Sequence, residues 1–253
     1  MATRTTPAGA VSPPAVPAAW TRVWSRPVGW FLDHVVYRTV VTGKANIPAA
    51  GPVIFAGNHI SFLDGPVMFG ASPRPMHILV KKEMFRGFLG KVLRGSGQIP
   101  VDRSGDRAAL HTSKKLLDAG RCVGILPEGT RGSGSAESIS PGVAWLALNS
   151  GATVIPVAIL GTRQGAEHRD HVPRPRRKLY VSFGEPLSVQ RRKGEPGRAS
   201  MDRASAAIRD ALAGHVRDAV LATGQNLPST GAPAEAAQQQ RPPAVAGLPA
   251  DHH

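Results

Sequence analysis

The period of apolar and polar positions changes several times along the chain. Between Trp20 and Tyr37 the apolar residues Trp20, Val23, Trp24, Val28, Phe31 and Val35 recur at helical spacing, with Arg22, Arg26 and Arg38 interspersed and Pro27 dividing the stretch. From Val53 onward, short apolar or β-branched runs alternate with amphipathic ones. Strands are predicted at Val53–Ala56, Met76–Val80, Gln98–Val101, Cys122–Leu126, Val154–Leu160 and Leu179–Phe183. Helices are predicted after Ser61 and over Met84–Leu93, Ala108–Leu117, Val143–Leu148 and Met201–Ala222. Strands separated by helices define an α/β fold class: a single domain with a mixed, partly parallel sheet flanked by helices, preceded by an N-terminal amphipathic helical segment. The predicted boundaries are a disordered tail over 1–18, the amphipathic segment over 19–42, the folded domain over 43–222 and a disordered Pro/Ala/Gln-rich tail over 223–253.

No residue from Ser138 to Thr162 is charged, a run long enough for a bilayer span. Asn149-Ser150-Gly151 breaks it with turn chemistry, and β-branched residues follow, so the run reads as a short helix, a turn and a buried strand. Prolines in residues 1–19 interrupt the apolar core that an export signal needs. A single cysteine among 253 residues excludes a disulfide framework, and its apolar setting makes Cys122 a core residue. The formal charge of +14 points to an anionic partner, although Arg outnumbers Lys 23 to 8 in a way that also fits a GC-rich genome.

Candidate chemistry lies where predicted strands end. Asn58-His59-Ile60-Ser61-Phe62-Leu63-Asp64 follows the first of them. Five residues along one helix would set His59 and Asp64 about 140° apart, so only a turn brings them together. With His59 in the turn and Asp64 in the first helical turn, the carboxylate can hold one imidazole nitrogen and leave the other free to take a proton. The same Ser61-x-x-Asp64 also reads as a capping box. Pro127-Glu128-Gly129-Thr130-Arg131 leaves another strand, its arginine suited to a phosphate or to an internal Glu–Arg pair. Gly97-Gln98-Ile99-Pro100-Val101-Asp102-Arg103 ends a third strand, and Val154-Ile155-Pro156-Val157 is a buried one.

In this order and at these separations, the four segments resemble the 1-acyl-sn-glycerol-3-phosphate acyltransferases of the glycerolipid acyltransferase family. That family carries Asn-His-x4-Asp, a Gly-x-Ile-x-Val-Asp-Arg-like block, Pro-Glu-Gly-Thr-Arg and an Ile-Pro-Val-like block. The resemblance implies acyl transfer without a covalent acyl-enzyme. His59 would be the general base acting on the free hydroxyl of a lysophospholipid, and Asp64 its support. Arg103, Glu128, Gly129, Thr130 and Arg131 match positions linked to the glycerol phosphate, with Lys81 a further candidate, and Pro156 would border the acyl or thioester site. The implied partners are lysophosphatidic acid, acyl-CoA or an acylated carrier protein as co-substrate, and an anionic membrane surface, with no cofactor and no metal. The implied location is peripheral, on the cytoplasmic side of the plasma membrane. Where many relatives carry a basic residue ahead of the glycine opening the next helix, this chain has Ile139-Ser140-Pro141-Gly142.

Two readings compete for the basic surface and the tryptophans. Residues 163–198 hold ten Lys and Arg against four acids, which suits an anionic leaflet, CoA phosphates or a carrier protein, and equally a solvated face. Trp20, Trp24 and Trp30 beside arginines suit a membrane interface, and equally a helix packed on the core. No helix-turn-helix, zinc-finger or single-strand-binding motif supports nucleic acid. No Gly-x-Ser-x-Gly elbow supports a serine hydrolase. The alternatives retained are an acyltransferase with another lysophospholipid or a glycolipid as acceptor, and a non-catalytic module that binds anionic lipid.

Overall fold

The computed structural model describes residues 27–228 apart from 103–106, 130, 132 and 169. Seven strands form one sheet, β1 Arg38–Thr42, β2 Val53–Gly57, β3 Met76–Lys81, β4 Ile99–Val101, β5 Cys122–Ile125, β6 Thr153–Leu160 and β7 Lys178–Phe183, in the order β1-β7-β6-β2-β5-β3-β4. The run from β6 to β4 is parallel; β7 pairs antiparallel with β6, and β1 parallel with β7. Every residue of β2 is buried, which a sheet covered on both faces demands of its central strand. Phe55, Ile155, Val157 and Ile159 face a helix α1 over 27–36 and α2 Asp64–Ala71. Ile54, Ala56, Val123 and Val154 face α4 Arg107–Asp118, α5 Pro141–Ser150 and α6 Gly197–Thr223. Helix α3 Gly87–Gly95 lies between β3 and β4.

Local signals account for the boundaries. Ser140 caps α5 by accepting from the Gly142 N–H, Pro141 fills the first turn, and Gly151 closes the helix in the left-handed region at φ 64°. α6 presents Ala204, Ile208, Leu212, Val216 and Ala219 as one buried stripe.

The N-terminal segment departs from expectation. The helix over 27–36 ends in a widened π turn, and residues 38–42, expected as the end of the amphipathic segment, form edge strand β1. Arg-Thr-Val-Val-Thr is β-branched at four successive positions, and pairing with β7 overrides the helical period that precedes it. The predicted helix Met84–Leu93 is also divided: a 3-10 turn Lys82–Phe85 precedes α3, and Gly87 at φ 57° lets the chain turn between them. Trp20 and Trp24, with the tails over 1–18 and beyond 228, lie outside the described residues.

Candidate active site

β2, β5 and β3 run parallel, so the turns that follow them open at one edge of the sheet, the carboxyl edge. This is where α/β sheets present ligands. Beyond the end of β2, the buried amide of Asn58 continues the pairing with β6: its Oδ1 accepts from the Ile159 N–H at 2.7 Å and its Nδ2 donates to the Ile159 carbonyl at 3.1 Å. His59 is therefore held at a defined point of the turn, and Asp64 follows as the first residue of α2.

The two side chains meet as the turn geometry predicts. His59 Nδ1 lies 3.0 Å from Asp64 Oδ2, with the His59 side chain 14% exposed and Asp64 fully buried. The same Oδ2 accepts the backbone N–H groups of Ile60 and Ser61, each at 2.7 Å, so the capping role and the histidine contact belong to one carboxylate. Asp64 Oδ1 accepts the Thr162 hydroxyl at 2.6 Å. A carboxylate surrounded by donors acts as acceptor throughout, which assigns the proton of the shared bond to Nδ1 and leaves the Nε2 lone pair available.

Glu128 follows β5 and reaches across to the base. Its Oε1 accepts the His59 backbone N–H at 3.0 Å. Burial pushes the Glu128 carboxyl above the usual range; the His59 backbone bond and the His59 ring oppose that, and the Asp64 charge adds to it. The Gly134 backbone bonds the same carboxyl. Gly134 packs so closely on Ile60 that a Cβ there would come within 2.2 Å of Ile60 Cγ2, at a φ of 73°. Glu128 thus ties the turn after β2 to the loop after β5 at the dyad, its carboxyl bonded to backbone N–H groups of both.

The other expected residues fall as follows. Arg131 Nη1 pairs with Asp170 Oδ1 at 2.6 Å, so the internal partner expected for it is Asp170 and not Glu128. Gly129, at φ 68°, turns the chain after β5. Lys81 ends β3, two strands from β2 along the same edge. Arg103 and Thr130 lie outside the described residues. Pro156 is not brought to the dyad: it pairs with Ala56 and is buried on the α5/α6 face, opposite α2, its missing N–H falling just past the end of the β7 pairing. Sequence reasoning missed Thr162 and gave Arg163 no role at the site. Arg163 Nη1 donates to the Ile60 carbonyl at 3.3 Å, which sets a guanidinium on the dyad's own turn. Both leave the carboxyl end of β6, the strand beside β2. Among the described residues, no cluster of three or more His, Cys, Asp and Glu side chains is arranged to hold a metal ion, and no helix is long and apolar enough to cross a membrane.

A parallel-centred sheet thus carries a histidine–aspartate pair at its carboxyl edge, flanked by glycine turns and arginines, an arrangement suited to general-base chemistry. The Acyltransferase family model matches residues 38–160. The chain is 31% identical over 150 residues to a 1-acyl-sn-glycerol-3-phosphate acyltransferase of Bacillus subtilis, an alignment covering 58% of this chain and 72% of that protein. It is 35% identical over 130 residues to a protein of the same name from Borreliella burgdorferi, covering 49% of this chain and 52% of that one, about half its length. The crystal structure of the 1-acyl-sn-glycerophosphate acyltransferase PlsC from Thermotoga maritima shares the fold, at a TM-score of 0.52 and 19% identity, covering 76% of this chain and 77% of that chain. The chain belongs to the 1-acyl-sn-glycerol-3-phosphate acyltransferase family.

Proposed function

We propose that the protein transfers a fatty acyl group from acyl-CoA, or from an acylated carrier protein, to the free hydroxyl of 1-acyl-glycerol-3-phosphate, giving phosphatidic acid. The observation that carries this reading is the His59–Asp64 pair at 3.0 Å with Nε2 left free. Nε2 takes the hydroxyl proton as the oxygen attacks the thioester carbonyl. The tetrahedral intermediate then expels the thiolate, which receives that proton from the imidazolium, so no acyl group rests on the protein. General-base help of this kind is worth about 10²–10⁴ in rate.

Arg131, Arg163 and Lys81 are among the described cations at the carboxyl edge and suit the acceptor phosphate, joined by Arg103 from the family pattern. Glu128, Asn58 and Thr162 act through position: they hold the histidine's backbone, the turn and the aspartate respectively. The reaction site faces a bilayer, and the exposed Trp30 and Phe31 on α1 fit contact with it. The experiment is an acceptor screen. Purified protein is given one acyl-CoA and a panel of lysophospholipids, and products are read by mass spectrometry. Phosphatidic acid as the dominant product supports the reading; dominance of a zwitterionic product would reassign the acceptor.

A further inference from the structure

We infer that the segment from Lys82 to Arg94 is a membrane-docking knuckle that seats the carboxyl edge of the sheet on an anionic lipid surface, independently of α1. The inference rests on the proposed acceptor being a lipid. Met84, Phe88 and Leu89 are 40%, 82% and 46% exposed, side by side in sequence with the exposed basic residues Lys82, Arg86 and Lys91. A phenylalanine left that open is costly in water and suits the boundary between headgroups and acyl chains, where basic neighbours meet lipid phosphates.

The display is built and held. Phe85 is buried as the anchor. Gly90 lies so close over it that a Cβ would come within 2.2 Å of the Phe85 backbone, and Arg94 Nη1 donates to the Phe85 carbonyl at 2.8 Å. The tight elbow turns the following ring and leucine outward. Its place in the fold gives it the right edge. β3 ends at Lys81, at the carboxyl edge, and β4 begins at Ile99, paired with Leu79. The whole excursion thus leaves and rejoins the sheet within its last residues, at the edge where the turn of His59 opens. Phe62, in that turn, adds another part-exposed ring.

The test uses the full chain with Phe88→Ser/Leu89→Ser and, separately, Lys82→Gln/Arg86→Gln/Lys91→Gln. Co-sedimentation with vesicles of equal parts phosphatidylglycerol and phosphatidylcholine is compared with phosphatidylcholine alone. Loss of the two apolar groups should weaken partitioning to either vesicle about tenfold or more. Loss of the three charges should weaken it only on the anionic vesicle, again by about tenfold or more. Turnover of long-chain acceptor presented in those vesicles should fall in parallel, while turnover of a short-chain acceptor below its micellar concentration stays at the parental level. Parental partitioning by both variants overturns the inference, whatever the activity. Normal vesicle binding with activity lost only toward an acylated carrier protein also overturns it, and makes the patch a protein dock. If parent and variants transfer no acyl group to any acceptor, the functional reading fails, and the vesicle arm still decides the docking.

Discussion

Thr162→Val removes one atom's worth of chemistry from the site and leaves the volume in place. The parent hydroxyl donates to Asp64 Oδ1 at 2.6 Å, and both residues are fully buried. A hydrogen bond to a buried charge contributes about 1.5–3 kcal/mol, and the valine offers nothing in its place. Part of that loss falls on stability, where each kcal/mol lowers the melting temperature of a chain this size by about 2–4 °C. The part that falls on the orientation of Asp64 reaches the reaction through His59, with a ceiling of about 10- to 100-fold in kcat. The acceptor's KM should stay near the parental value, because Thr162 is fully buried and its hydroxyl is engaged by Asp64. Thr162→Ser, which restores the donor, should recover most of kcat. Steady-state kinetics on each variant, normalised to folded protein by circular dichroism, separates these effects. A valine variant that melts early yet keeps parental kcat would refute the positioning argument, as would a serine variant no better than valine.

Three further outcomes follow from the same geometry. Glu128→Gln keeps an oxygen for the His59 N–H and should hold kcat within about fivefold, whereas Glu128→Ala should lose about 10- to 100-fold with little change in acceptor KM; a large KM rise in both would return Glu128 to the phosphate. Asp33 on α1 is buried against Gly70 with Thr39 as its hydroxyl donor, and burial pushes its carboxyl from 3.8 up to about 8. The folded protein therefore keeps a proton that the unfolded chain releases, so this group's contribution is full below pH 3.8 and is lost as the pH rises to about 8. Asp33→Asn should melt higher than the parent at pH 8, with the gap closing by pH 4; parallel melting curves across that range would contradict the burial argument. Glu167 is held down to about 2, chiefly by its hydrogen bond with Arg177. Its stabilisation, on the order of 1 kcal/mol for a part-exposed pair, is present above its ordinary 4.5 and lost as the pH falls through about 2. Glu167→Gln should therefore cost melting temperature at pH 7 and little near pH 2.

The element order was legible because strand and helix periods are local. Every strand from Val53 to Phe183 lies within a residue or two of its predicted place, since fully buried apolar runs such as Val53-Ile54-Phe55 leave little choice. β1 was not legible: its pairing partner, β7, lies more than a hundred residues away, and a helical pattern runs directly into it. The dyad was legible because both of its members lie in one turn. Thr162 and Arg163 were hidden because their relation to His59 exists only through the β6–β2 pairing, and a strand order is not written in any local pattern. The placement of Pro156 was hidden for the same reason, since its register with Ala56 alone sets it on the α5/α6 face. Glu128 was found, but its contact with the His59 backbone could be seen only once β5 lay beside β2.

The central claim is that His59 removes the acceptor's proton. Single-turnover transfer from a labelled acyl-CoA to 1-acyl-glycerol-3-phosphate, compared between parent and His59→Gln on the same vesicles, addresses it directly. The account predicts phosphatidic acid formation slowed by about 10²–10⁴-fold, with vesicle binding and melting temperature preserved. Transfer at the parental rate by the folded variant would contradict it.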